Sequence, residues 1–160
     1  MGANEPSAKA LWREVGLIGA ELRTAGPLIT RSSPLALPLS NNSSNLWVKS
    51  LAVGLDTLLM VVVNDDYLND RDGTRINPVL NAVVKFVPPA WLEPKDVFEI
   101  HSSGTKDVPH NTAAGRLELD LSPVQVTRLV VVTRDPVLRQ VVQRDYEVHF
   151  AANVRKLQAP

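Results

Sequence analysis

The chain has 160 residues, no cysteine, and 17 basic against 17 acidic residues. That length admits one domain with its own hydrophobic core, the missing cysteine removes disulfides, thiolate metal sites and cysteine nucleophiles, and zero net charge leaves no overall pull toward nucleic acid or anionic lipid. Aromatic residues are only 5%, so a core must rest on Val, Leu, Ile and Ala, and no apolar run approaches the roughly 20 residues that span a bilayer; neither a nucleic-acid partner nor membrane insertion is expected.

Ser7 to Ala25 reads as a helix. Leu11, Val15, Ile18 and Leu22 stand at offsets of 0, 4, 7 and 11 and form one apolar stripe, which Trp12 widens. Gly26-Pro27 is a stop signal, because Gly suits the position past a helix end and Pro cannot continue it. Gly16 and Gly19 cost roughly 1 kcal/mol each relative to Ala in a helix interior, a cost that close packing would offset. The stripe needs a covering surface. The rest of the same domain is the default; an upstream catalytic domain, or a second copy giving a homo-oligomer through this helix, are the other partners. Residues 27–45 carry Pro27, Pro34 and Pro38 and then Ser40-Asn41-Asn42-Ser43-Ser44-Asn45, a composition that favours turns over ladders. Residues 1–45 therefore read as a helix and a connector.

From Asn45 the texture changes. Leu46 to Val53 is a strand, interrupted by Gly54. Asp56 to Asn64 contains Leu-Leu-Met-Val-Val-Val, too apolar for a half-exposed strand and suited to a central one covered on both faces. Residues 64–77 read as a polar loop, Val79 to Val87 as a strand closed by Pro88-Pro89, Asp96 to His101 as a short alternating strand, and Ser102 to Ala114 as loop. Arg116-Leu117-Glu118-Leu119-Asp120-Leu121 is the clearest period-2 signal, and Val126 to Thr133 follows as an apolar strand. About six strands with no helical pattern between them point to a mainly β fold over residues 46–135: an antiparallel β-sandwich, immunoglobulin-like or jelly-roll-like, with flanking N- and C-terminal α-helices. Asp135-Pro136 opens the last element well, since Asp caps and Pro is welcome at the first helical position. Leu138, Val142, Tyr146, Phe150 and Val154 recur every four residues, while Tyr146 to Phe150 also alternates like a strand. A helix from Pro136 to about Leu157, packed on the same domain over residues 136–160, is the expectation.

The run Leu46-Trp47-Val48, then Leu58 to Asn64, together with Pro89-Ala90-Trp91-Leu92, Leu119-Asp120-Leu121-Ser122-Pro123 and Thr127 to Val132, resembles the C-terminal β-sandwich appended to catalytic barrels in bacterial glycoside-hydrolase-like proteins. The resemblance covers roughly residues 46–135 and consists of strand patterns rather than chemical signatures. It implies an accessory domain that props a catalytic domain or touches glycan. It transfers no catalytic residue, because the acid/base and nucleophile carboxylates of such proteins sit on the barrel.

The acidic loop Asn64 to Thr74 is oxygen-rich, and Asp65, Asp70 and Asp72 are its candidate ligands for calcium, a hard ion that takes six to eight oxygens. Asp70, Asp72 and Gly73 imitate the middle of an EF-hand loop, but its first position would be Leu68 and its twelfth Val79. A solvated turn is the plainer reading, and apart from calcium no cofactor is implied. His101, His110 and His149 lack zinc spacing. Ser102 and Ser103 adjoin His101 without a nucleophile elbow, and paired carboxylates such as Asp65-Asp66 have no fixed glycosidase separation, so no catalytic residue is assigned. Carbohydrate binding would use exposed rings, with Tyr67 and Trp91 as platforms and Asp66 and Asn69 as hydroxyl partners; Trp47 is assigned to the core.

The expected role is therefore a non-catalytic accessory or interaction module of a larger protein, not an enzyme as an isolated chain. A carbohydrate-binding module is the alternative, and a small hydrolase built on His101 or His110 a formal third. The start, Met1-Gly2-Ala3-Asn4, shows no basic-then-apolar signal pattern. A Met-Gly start is also what an artificial beginning looks like, so export to a bacterial cell surface stays open.

Overall fold

The computed structural model describes residues 6–70 and 73–159, with side chains described over 9–68 and 75–159. Three α-helices and twelve strands are found among them: α1 (Pro6–Thr30), β1 (Ser32–Leu35), β2 (Leu39–Asn41), β3 (Leu46–Val53), β4 (Thr57–Asn64), β5 (Tyr67–Asp70), β6 (Gly73–Ile76), β7 (Val83–Phe86), β8 (Asp96–His101), β9 (Gly104–Asp107), β10 (His110–Ala113), β11 (Arg116–Asp120), β12 (Thr127–Thr133), α2 (Leu138–His149) and α3 (Ala151–Gln158). A six-stranded sheet runs β1-β3-β4-β12-β8-β9, a four-stranded sheet runs β10-β11-β7-β2, and β5 and β6 form a separate hairpin. All named pairings are antiparallel. The fold is an antiparallel β-sandwich with flanking helices.

The alternation of side chains along a strand divides the larger sheet between two cores. Leu58, Met60 and Val62 of β4, with Val130 and Val132 of β12, pack against Val84, Phe86, Leu117 and Leu119 of the smaller sheet. Leu59 and Val61, with Leu129, Val131, Phe98 and Ile100, face the other way and are covered by Ala25 and Leu28 of α1 and Val142 of α2. The apolar run of β4 is thus central and covered on both faces. A third cluster joins Leu17 and Ala20 of α1 to Tyr146, Phe150, Ala151 and Val154 at the α2–α3 corner. Arg139 of α2 fastens the helical layer. Its guanidinium pairs with Asp96 and Asp107, donates to the Val97 carbonyl (2.8 Å) and lies over the Phe98 ring.

Four expectations need correcting. Helix α1 does not stop at Gly26-Pro27 but runs on to Thr30 with Pro27 inside its last turn. The missing proline N–H loses one bond at a frayed end, whereas continuing the helix buries Leu28, which is 2% exposed. Arg31 Nε then caps the Pro27 carbonyl at 2.9 Å, and Thr30 Oγ1 the Gly26 carbonyl at 3.0 Å. The segment read as a connector supplies β1 and β2, and Pro34 is tolerated because β1 is an edge strand. The two segments read as loops, 64–77 and 102–114, hold β5 with β6, and β9 with β10. The C-terminal helix breaks at Phe150 into α2 and α3, and Tyr146 to His149 are helical.

Candidate functional site

The acidic segment forms a hairpin in which β5 and β6 pair from Tyr67↔Ile76 to Asp70↔Gly73. Asp66 is a structural group at its base: Asn45 Nδ2 donates to Oδ2 at 2.8 Å and Asn77 Nδ2 to Oδ1 at 3.1 Å. Its oxygens are thereby taken up in holding the hairpin to the start of β3. Asp65 is exposed. Asp72 and the side chains of Asn69 and Asp70 lie outside the described residues. Among the described residues no three His, Asp or Glu side chains gather around a common point that would hold a metal.

The rings are distributed differently from the sequence reading. Tyr67 is 55% exposed on the hairpin. Trp91 is half-buried and packs against the inter-sheet core. Trp47, expected in the core, is 52% exposed, with Lys49 Nζ 5.2 Å from the ring centroid. The register Trp47↔Val63 puts it at the end of the six-stranded sheet, on the helix-side face beyond the reach of the helices. The histidines are scattered. His110 is exposed on β10, where its Nδ1 meets the Val108 carbonyl, and His149 lies near Asp145 on α2. His101 Nδ1 receives the Ser103 amide and hydroxyl at 3.1 and 2.9 Å, which leaves the ring proton on Nε2 of the neutral form.

Two larger features emerge that carry charge or apolar surface. The first is α1. Its inward residues are Leu17, Ala20, Thr24, Ala25 and Leu28, so the stripe Leu11, Trp12, Val15, Ile18 and Leu22 points to solvent; Trp12 is 66% and Ile18 54% exposed. Beside it runs a groove of about 410 Å³ between α1 and α3, lined by Trp12, Val15, Gly16, Phe150 and Leu157 among others. A Cβ at Gly16 would stand 2.6 Å from Leu157 Cδ1, so that side chain would have to shift, whereas Gly19 has nothing within 4 Å.

The second feature is a polar cleft of about 440 Å³ at one open end of the sandwich. Glu99 follows Val97 by two residues and pairs with Val130, so it points between the sheets, as does Arg128, which pairs with Val62. Lys106 stands opposite Glu99 on β9. Asp120, Ser122, Gln125 and Thr127 line it as well, with His101 and Asp107. The Glu99 side chain is only 6% exposed and binds Arg128 through one oxygen, while Arg128 also donates to the Pro123 carbonyl at 3.0 Å. Burial pushes the Glu99 carboxyl up against the pull of Arg128 and Lys106. Burial, reinforced by Lys106 and Arg128, pushes His101 down. Asp120 is held below the usual range by the hydroxyl and amide of Ser122. On α1, half-buried Glu21 is pushed up to about 7, chiefly by burial and then by Glu99.

No family model and no curated protein matches the chain. Among solved structures, the chain aligns with alpha-L-fucosidase isoenzyme 2 from Paenibacillus thiaminolyticus at 10% identity and a TM-score of 0.46, over 59% of this chain and 15% of that one. An alignment so loose, to a protein of which this chain spans so small a share, does not bear on activity.

Sequence reasoning missed the cleft because its residues are spread from position 99 to 128. One signal was present: in Asp96-Val97-Phe98-Glu99-Ile100-His101, a strand flanked by apolar strands places every second residue inward, and Glu99 falls on the same face as Val97. On α1 the bulky stripe stands out, whereas the inward row, equally periodic but built around Ala20, Thr24 and Ala25, does not.

Proposed function

We propose that this chain is a non-catalytic interaction module whose working surface is the outer face of α1. The observation that supports it is the exposure of the stripe Leu11, Trp12, Val15, Ile18 and Leu22 while both sandwich cores are already closed without it. Burying such side chains is worth about 1.5–3 kcal/mol each, so a contiguous row of them on one helix marks an interface. The spacing of 4, 3 and 4 residues reads the same in both directions along the helix. Two copies meeting antiparallel would set Leu11 against Leu22 and Val15 against Ile18, a self-complementary arrangement of the kind a twofold interface requires. The partner is therefore a second copy of this chain. Equilibrium sedimentation tests this: the account expects a concentration-dependent dimer that Ile18→Glu converts to a folded monomer. A wild-type monomer at all concentrations overturns it.

A second reading, a carbohydrate-binding module, draws support from the exposure of Tyr67 and Trp47. Affinity electrophoresis across diverse polysaccharides, with Trp47→Ala and Tyr67→Ala as controls, tests it; no retardation by any polysaccharide counts against it.

A further inference from the structure

We propose that the cleft between the two sheets, walled by Glu99, Lys106, Asp120 and Arg128, binds a neutral polyhydroxylated ligand one or two sugar units in size. The site goes beyond both readings above, since it uses neither α1 nor an exposed ring.

Three features select that chemistry. First, the cleft is a cavity of about 440 Å³ with contributions from both sheets, within the range of small-molecule sites. Second, both signs of charge are present in near balance: Glu99, Asp107 and Asp120 share the lining with Lys106 and Arg128, Asp107 is paired with Arg139, and His101 is pushed toward its neutral form. A ligand with net charge of either sign gains attraction from one pair and repulsion from the other. A neutral one can use all four. Third, hydrogen-bonding capacity remains open. Glu99 Oε2 takes Arg128, and no described donor takes Oε1; Lys106 Nζ has no carboxylate within salt-bridge distance among the described residues. The Glu99 side chain is more than nine-tenths buried, so its free acceptor gains from a donor that enters the cleft. A hydroxyl donates one hydrogen bond and accepts others. Adjacent hydroxyls on a sugar ring therefore meet an alternating row of carboxylate and cation: one donates to Glu99 Oε1 while accepting from Lys106, and its neighbour donates to Asp120.

The test is a nuclear magnetic resonance titration of the isotopically labelled full chain with neutral probes, D-glucose, D-galactose, D-mannose, D-xylose and cellobiose. Sodium acetate and inorganic phosphate serve as charged controls. At least one sugar should give saturable shifts confined to amides of residues 99–106 and 120–128. Its affinity should fall roughly tenfold or more in Lys106→Ala and in Asp120→Asn, as expected for loss of a hydrogen bond to a charged group. Both positions are exposed, so the variants keep the fold, which the unchanged remainder of the spectrum verifies. The proposal is overturned by the absence of saturable shifts with every sugar, by shifts that centre on Trp47 or Tyr67 and survive both variants, or by tighter binding of acetate or phosphate than of any sugar. None of these outcomes depends on whether the chain dimerises.

Discussion

The inner and outer faces of α1 are made of similar residues and do opposite things. The inner face, Leu17, Ala20, Ala25 and Leu28, is small where the helix lies close to the sheet and to the α2–α3 corner, and it is buried. The outer face, Leu11, Trp12, Val15, Ile18 and Leu22, is bulkier and more uniformly apolar, and it is exposed. Hydrophobic periodicity alone finds the more apolar of two equally regular stripes and names it the core. The physical determinant is close approach: a helix lying over a sheet needs small side chains facing it, so the bulkier stripe is the one left over for something else.

Substitution separates the two kinds of surface. The largest effect is expected at the dry centre: Phe98→Ala or Met60→Ala should lower unfolding free energy by about 3–5 kcal/mol in urea melts, whereas Ile18→Ala, measured at concentrations where the chain is monomeric, should stay within about 0.5 kcal/mol. Equal losses at both positions would mean that α1's outer face is buried in the monomer. Next comes the fastening of the helical layer. Arg139→Leu leaves the partly buried Asp96 unpaired, while the exposed Asp107 stays solvated, and should cost about 1–2 kcal/mol, with hydrogen exchange rising first in α2. Smaller again is the contrast between the two helix glycines. Gly19→Ala meets nothing and should gain about 1 kcal/mol from helix propensity, while Gly16→Ala should gain less, because Leu157 must shift to admit its Cβ. The turn between β10 and β11 offers a gain of similar size: Ala114 has φ of 51° and Gly115 of 74°, as a two-residue turn of this hand requires, so Ala114→Gly should raise stability by up to about 1 kcal/mol.

Titration probes the border between the inner face and the cleft. Glu21 is pushed up to about 7 and Glu99 is raised as well. The folded state therefore holds a proton more tightly than the unfolded chain does, and the stability contributed by these groups is full below their ordinary range near pH 4.5. For Glu21 it is lost as pH rises through about 7. Melting temperature should fall over that window in the wild type and fall less in Glu21→Gln.

The parts of the fold legible in the sequence are those whose side-chain pattern records burial. The Leu-Leu-Met-Val-Val-Val run of β4 announces a strand covered twice, and Arg116 to Asp120 announces one covered once. Strands β1, β2, β5, β6, β9 and β10 were not legible. They are three or four residues long, mostly polar, and lie at sheet edges or in the separate hairpin, where partners decide their conformation rather than their own periodicity. The same holds for function. The acidic run from Asn64 to Thr74 stood out because it is continuous, yet Asp66 serves to anchor the hairpin. The cleft is discontinuous, and only pairing register brings Glu99, Lys106 and Arg128 together.

The chain's lack of cysteine permits a direct geometric test of the α1 interface. Chains carrying Val15→Cys and Ile18→Cys, mixed and oxidised, should give a disulfide-linked dimer at high yield, because an antiparallel pair sets these positions face to face. Leu11→Cys alone should give little, since its counterpart lies at the far end of the partner helix. Efficient cross-linking of Leu11→Cys to itself, or none in the mixed pair, would contradict the interface.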